Sequence, residues 1–171
     1  MKKGQYFSFD AIAAVLIFIL ALSILGNYWF GIKATMNESS VNLQEEALAV
    51  SDGLLTPGQP EDWDEKIGEL EEIGQIGFAQ GFGTVVLDAN KIIAFRDYAD
   101  GIIPGGSYLE SKKLLNTIYD YTIEINTGVA EYNIGIDVPS SAKNVAVATR
   151  GIILLNGENK EAGTMKVYLW E

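Results

Sequence analysis

A long apolar run near the amino terminus constrains this chain more than any other feature. It extends from Ala11 to Phe30 and is interrupted only by Ser23, Gly26 and Asn27. Twenty residues of α-helix reach ~30 Å, which matches the hydrocarbon thickness of a bilayer. The sequence therefore predicts a single membrane-spanning helix at this end of the protein.

The residues before the run indicate how the segment is processed. Lys2 and Lys3 are followed by Gly4 and Gln5, and then by Phe7-Ser8-Phe9-Asp10. This order resembles the class III signal sequence of archaeal type IV pilin-like proteins. The resemblance implies that a prepilin-type peptidase cuts between Gly4 and Gln5. It also implies that the lysines form the basic flank of the cut and that the apolar helix stays with the mature protein.

Asp10 has two interpretations. Many pilins carry a glutamate at the fifth mature position, whereas this chain has Phe9 there and places its acid one residue later. A carboxylate at the membrane boundary can reach water, and at a helix start it suits the positive end of the dipole. The resemblance implies instead that Asp10 pairs with the free amine of Gln5 in a neighbouring subunit. Both interpretations stay open.

Two other interpretations of the apolar run compete with the pilin-like one. A secretory signal peptide has an apolar stretch of about 7–15 residues followed by a small-residue cleavage site. Here the run is longer, and Asn27-Tyr28-Trp29-Phe30 is a poor cleavage site. An uncleaved single-span anchor fits the length of the run and is kept as the alternative.

Charge restricts the partners of this chain. The protein has 171 residues and a formal net charge of −11. Subtracting the two lysines and one aspartate of the first 30 residues leaves 10 basic and 22 acidic side chains, a net charge of −12. Such a surface repels phosphates, which argues against a nucleic-acid partner. The positive-inside tendency places Lys2 and Lys3 in the cytoplasm and the acidic remainder outside.

The missing residue types exclude several kinds of chemistry. The chain has no histidine and no cysteine, so it lacks Ser-His and Cys-His nucleophile pairs and the usual zinc ligands. It contains no phosphate-binding P-loop, no G-x-G-x-x-G and no EF-hand calcium loop. Carboxylate-only catalysis or an all-oxygen calcium site survives in principle. We predict a protein that is not an enzyme and has no cofactor or metal centre.

The helix is predicted to continue beyond the membrane as a stalk. An a/d-type seam at spacings of 4, 3, 4, 3 and 4 is formed by Met36, Ser40, Leu43, Ala47, Val50 and Leu54. Pro57 and Gly58 end the pattern. The seam is expected to pack on the protein's own globular domain, with helices of other subunits as the second option.

The segment from Ser51 to Trp63 carries a second resemblance. It matches a recurring S-D-x-L-L-T-P-G-x-P-x-x-W pattern of archaeal pilin-like surface proteins. Trp63 is predicted to be a packing anchor that closes the loop over the stalk, because buried aromatic side chains dominate small cores. A glycan or partner contact is its alternative role.

The remaining chain is predicted to form two short helices and about four strands. Asp88 and Ser107 are suitable helix caps, with an inner stripe after Ser107 made by Tyr108, Leu115, Ile118 and Tyr119. Alternating apolar residues predict strands at 119–126, 132–138, 145–155 and 164–170. With no helix between them, these strands indicate a small antiparallel sheet. Arg150 next to Gly151 suggests a bulge, with the guanidinium reaching outward; a buried ion pair is the less favoured alternative.

Two surface features have both a structural and a functional interpretation. Acidic residues are concentrated at Glu61, Asp62, Asp64, Glu65, Glu69, Glu71 and Glu72. Charge runs usually face water, and cation binding is the alternative. Asn37-Glu38-Ser39 is an acceptor pattern for N-glycosylation, although a helical position near the membrane argues against its use in a packed filament.

These predictions combine into one hypothesis. The fold is α+β, with a cleavable leader (residues 1–4), a membrane-spanning and stalk helix (5–55) and an extracellular head (56–171) in which the helix packs on the sheet. The resemblance implies a structural subunit of an archaeal cell-surface type IV pilus-like filament, with a minor pilin as one option. Its partners would be the prepilin-type peptidase, other pilin subunits and the membrane. The alternative is an uncleaved single-span surface binding protein.

Overall fold

The computed structural model describes residues 3–67 and 73–171. Lys2, Glu69, Glu71 and Glu72 lie outside the described residues, and so do the side chains at positions 3–10 and 30–41. The chain divides into two compact units, a first unit of residues 1–41 and a second unit of residues 42–171. The elements in chain order are α1 (Lys3–Leu54), β1 (Val86–Asp88), α2 (Ala89–Ala99), α3 (Tyr108–Leu114), β2 (Asp120–Asn126), β3 (Glu131–Gly135), β4 (Val145–Asn156) and β5 (Asn159–Trp170).

The prediction of one long N-terminal helix is confirmed. Helix α1 runs for 52 residues and ends at Leu54. Two backbone hydrogen bonds between residues three apart follow, as in a 3₁₀ turn. The N–H of Leu55 donates to Asp52 O, and the N–H of Thr56 donates to Gly53 O. Pro57 then ends the ladder because proline has no N–H to donate.

The second unit contains a mixed sheet of five strands in the order β1-β4-β5-β2-β3. Four of them pair antiparallel, as the alternation predicts, whereas β1 runs parallel to β4 through Val86–Asp88. The prediction of about four strands in an antiparallel sheet is therefore wrong in count and in type. Strand β1 is only three residues long, so it shows no alternation of its own.

The β4–β5 hairpin is unbroken and contains no bulge. Its register pairs Val145 with Trp170 at one end and Asn156 with Asn159 at the other, without an extra residue on either strand. The predicted bulge at Arg150 is wrong. The Arg150 guanidinium points to the helix-covered side of the sheet, where Nη2 lies 2.7 Å from Asp52 Oδ1 of α1.

One hydrophobic core joins the sheet, the C-terminal part of α1 and helix α2. The last four positions of the predicted seam are all buried there: Leu43, Ala47, Val50 and Leu54. Every second residue of the central strands faces them, including Ile123, Ile125, Val167 and Leu169. The alternate residues of β4 that face the other way, such as Val145, Val147 and Thr149, are exposed. The stripe that sequence periodicity identifies is thus the one that joins α1 to the sheet.

Helix caps lie where the sequence predicts them, but helix α3 and strand β3 end earlier than predicted. Asp88 accepts a hydrogen bond from the N–H of Asn90, and Ser107 accepts one from the N–H of Glu110. Helix α3 ends at Leu114, so Ile118 lies beyond it and is 83% exposed instead of facing the core. Strand β3 similarly stops at Gly135, short of the predicted end at 138.

Candidate functional site

The first candidate site is the apolar part of α1 in the first unit. Ala11–Trp29 has a mean hydropathy of 2.3, and none of this stretch is buried inside the chain. Large side chains such as Ile17, Phe18 and Ile24 are 62–70% exposed. A helix this apolar on all sides requires an apolar environment, because exposing its surface to water costs about 25 cal/mol per Å². By length and composition this segment can cross a membrane.

The residues predicted for processing and assembly lie at the start of the same helix. Gly4, Gln5 and Asp10 are helical in backbone and belong to α1 together with Lys3. Asn37 is also inside α1. The side chains of these residues are outside the described part of the structure, so their proposed roles stay predictions.

Three predicted features of the apolar run are described in full. Ser23 and Asn27 are exposed, and a Cβ added at Gly26 would meet no atom within 4 Å. Small residues of this kind let helices approach closely in membranes. At these three positions, nothing in the described part of the chain packs tightly against the run.

The second candidate site is the loop that follows α1. The Trp63 indole is fully buried, and its Nε1 donates a hydrogen bond of 2.8 Å to Gly77 O. Gly77 itself lies against Thr56, where an added Cβ would overlap the carbonyl oxygen. The predicted role of Trp63 as a packing anchor is confirmed.

Lys91 fixes this loop from the other side and was not identified from the sequence. The side chain comes from α2 and is buried, and its Nζ donates hydrogen bonds of 2.7 Å to Pro57 O and to Glu61 O. A charged donor makes such bonds stronger than neutral ones. A single lysine carries no sequence signal for this role, because its acceptors are backbone atoms about 30 residues away.

A polar network joins α3 to β2 near the sheet edge. Asp120 accepts hydrogen bonds from Lys112 Nζ at 2.9 Å and from Tyr108 Oη at 3.0 Å. Tyr121 lies 2.5 Å from Ser111 through their hydroxyl oxygens. The Lys112 hydrogen bond lowers the pKa of Asp120, whereas burial raises the pKa of Tyr121. Ser111 is fully buried and cannot reach a substrate, so the network attaches α3 to the sheet.

The acidic segment is only partly described. Glu61, Asp62 and Glu65 are exposed and form turns, and Lys66 Nζ lies 3.1 Å from Asp62 Oδ2. The hydrogen bond with Lys66 lowers the pKa of Asp62. Across residues 3–67 and 73–171, no group of three acidic side chains is arranged to hold a metal ion. The side chains of Glu61, Asp62 and Glu65 are thus open to solvent.

Comparison with known proteins leaves the family open. No protein family, curated protein or solved structure matches this chain. The functional conclusion therefore depends on the residues and the geometry described above.

Proposed function

We propose that this protein is a structural subunit of an archaeal cell-surface type IV pilus-like filament, with a minor pilin as one option. A prepilin-type peptidase cuts the precursor between Gly4 and Gln5, next to the basic flank of Lys2 and Lys3. The mature subunit crosses the membrane once, with its amino terminus toward the cytoplasm and residues 56–171 outside. Assembly, not catalysis, is its mechanism.

One observation carries this proposal. Helix α1 is continuous from Lys3 to Leu54, yet it has two different surfaces along its length. Its second half supplies the buried residues Leu43, Ala47, Val50 and Leu54 to the core of the second unit. Its first half, Ala11–Trp29, contributes nothing to a core within the chain. A helix built in this way connects a folded domain to an apolar surface that other molecules must cover.

Filament formation would cover that surface. Lipid surrounds the apolar run before assembly, and bundled helices of other subunits replace lipid afterwards. The helical backbone satisfies its own hydrogen bonds in both states, which is the requirement for any element that enters a bilayer. Ser23 and Gly26 would permit close helix approach. Asp10 and the amine of Gln5 would pair between neighbouring subunits.

The test uses the precursor and its peptidase. The full chain is produced together with an archaeal prepilin peptidase, and the amino terminus is read by mass spectrometry for the wild type, Gly4→Ile and Gly26→Ile. We expect cleavage after residue 4 in the wild type and in Gly26→Ile, and uncleaved precursor in Gly4→Ile. Gly26→Ile is the matched control because it makes the same replacement in the same helix at a position with free space.

The alternative function predicts a different pattern. An uncleaved single-span binding protein keeps its full length in all three samples. A second measurement tests assembly itself: surface filaments of the producing cells are sheared off and analysed for the mature subunit. Full-length protein that stays in the membrane fraction, with none in the sheared material, would refute the filament proposal.

A further inference from the structure

The apolar run of α1 ends on two amphipathic aromatic residues. Tyr28 and Trp29 close the stretch Ala11–Trp29, and they are 69% and 60% exposed within the chain. Each side chain joins an apolar ring to one polar group, which is the hydroxyl of tyrosine or the indole N–H of tryptophan. Both side chains are therefore open to whatever surrounds the helix.

The sequence separates these amphipathic aromatic residues from the rest of the run. The first 30 residues contain three tyrosines or tryptophans, Tyr6, Tyr28 and Trp29, and none of them lies within 11–27. The one aromatic residue inside that range is Phe18, whose ring carries no polar group. Tyrosine and tryptophan are enriched at both membrane–water interfaces, where their rings lie at the level of the headgroups. The distribution is thus that of a spanning helix with amphipathic aromatic residues beyond both ends of its apolar part.

The length of the helix agrees with this distribution. The 19 residues of Ala11–Trp29 belong to the one continuous helix α1. At the rise of an α-helix they extend over ~28 Å, which is close to the ~30 Å of a hydrocarbon core. When Ala11 lies at one boundary of the hydrocarbon, Tyr28 and Trp29 therefore lie at the other.

We propose that Tyr28 and Trp29 form an interfacial lipid site, which binds the boundary between the acyl chains and the headgroups of the outer leaflet. The two rings contact the upper part of the acyl chains. The hydroxyl and the indole N–H donate hydrogen bonds to headgroup oxygens or to interfacial water. This inference rests on the membrane span of the proposed function, but not on cleavage or on filament formation.

The interfacial lipid site would outlast the processing proposed above. Cleavage after Gly4 removes Lys2 and Lys3, the basic residues that favour the cytoplasmic side of the membrane. Tyr28 and Trp29 stay with the mature chain. The mature helix thus keeps a contact with the outer boundary of the bilayer when it loses its basic flank.

The burial of the other tryptophans makes this site measurable by fluorescence. Trp63 and Trp170 are 0% and 2% exposed, so a quencher within the lipid reaches Trp29 selectively. The full chain is reconstituted, at a low protein-to-lipid ratio, into phosphatidylcholine vesicles with acyl chains brominated near the headgroup, halfway along the chain or near the chain end. We expect the loss of Trp29 fluorescence to be at least about twofold larger with bromine near the headgroup than near the chain end, because the boundary lies ~15 Å from the bilayer centre.

Two variants calibrate the depth. Trp29→Phe retains Trp63 and Trp170, and its fluorescence should be the same in all three lipids, which gives the background to subtract. Leu20→Trp in the Trp29→Phe background moves the indole about 13 Å along the helix, to a position in the middle of the run where the native side chain is 62% exposed. Its fluorescence should fall most with bromine near the chain end, which is the reverse order.

The outcomes separate the interfacial lipid site from the membrane span. Suppose that Leu20→Trp is quenched in the expected order. A Trp29 that is then unquenched, equally quenched in all three lipids, or quenched most by bromine near the chain end would overturn the interfacial site and leave the span intact. Leu20→Trp fluorescence that does not depend on the position of the bromine would refute the span itself, and with it the proposed function.

Discussion

Replacing Trp63 tests whether the loop after α1 is part of the core of the second unit. The side chain is fully buried, and removing a buried tryptophan side chain costs about 3–5 kcal/mol. Trp63→Ala also removes the N–H that Gly77 O accepts at 2.8 Å, and an unsatisfied buried carbonyl adds about 1–3 kcal/mol. Because the two effects overlap, we expect a total of about 4–6 kcal/mol. Domains of this size are stable by only about 5–15 kcal/mol, so the variant should be close to unfolding.

A second variant separates packing from hydrogen bonding. Trp63→Phe keeps an aromatic ring in the site but loses the N–H, and we expect it to cost about 1–3 kcal/mol from the missing hydrogen bond. Both variants are compared with the wild type by urea unfolding of the full chain in micelles, followed by hydrogen exchange of the β4 and β5 amides. Exchange in the sheet reports the second unit without the contribution of the apolar helix.

A second tryptophan provides the control for these variants. Trp29 is 60% exposed and lies in the apolar run of the first unit, so Trp29→Ala should leave sheet exchange unchanged. Should Trp63→Ala cost less than about 1 kcal/mol, the indole would not be the anchor we describe. If Trp63→Phe and Trp63→Ala lower the free energy of unfolding equally, the contributions of packing and of the hydrogen bond are not separate in the way we describe.

Three further predictions follow from individual contacts in the second unit. Gly77→Ala should destabilise it by at least about 2 kcal/mol in the same urea assay, because the new Cβ overlaps the carbonyl oxygen of Thr56; wild-type stability would contradict the close packing. Asp120→Asn should cost up to about 1 kcal/mol at pH 7, since the carboxylate is 43% exposed and its pKa is lowered by the hydrogen bond from Lys112. That stabilisation is present above the pKa of an unfolded aspartate, about 3.9, and is lost as the pH falls through the lower folded value, so the difference from the wild type should shrink as the pH falls below about 4; a difference that grows on acidification would reverse the sign. Lys91→Met should speed hydrogen exchange in the loop after α1 by at least about tenfold, because each hydrogen bond from a charged group contributes about 1.5–3 kcal/mol, and unchanged exchange would show that the loop does not depend on this side chain.

Periodic segments of the sequence gave correct predictions because their pattern and their packing have the same cause. The seam of α1 is an example: Leu43, Ala47, Val50 and Leu54 are apolar at helical spacing and are buried on one side. The strands β2, β4 and β5 alternate in the same way, with one face in the core. Local chemistry was sufficient for the caps at Asp88 and Ser107, since a side-chain oxygen meets a backbone N–H within three residues.

The wrong predictions concern features that only distant contacts decide. Strand β1 exists because Val86–Asp88 lies beside β4, and three residues are too few to show a period. The Arg150-Gly151 pair looked like a bulge, but unbroken pairing with β5 and the contact to Asp52 keep the strand regular. Ile118 was assigned to an inner stripe on the assumption of a longer helix. Asn116, with φ of 53°, turns the chain away before that residue.

The candidate site could be predicted only in part. Length and hydropathy identify the apolar run, and the Trp63 anchor follows from an aromatic residue in a turn-rich link. The Lys91 contacts could not be predicted, because they depend on backbone atoms brought together by the fold.

The central claim is that the apolar helix is trimmed at its start and then retained as the assembly surface of the mature subunit. Mass spectrometry of the protein isolated from its native cells tests this most directly. We predict a mature chain that begins at Gln5 and still contains residues 11–29. A mature chain that begins beyond the apolar run, recovered as a secreted soluble domain, would contradict the claim.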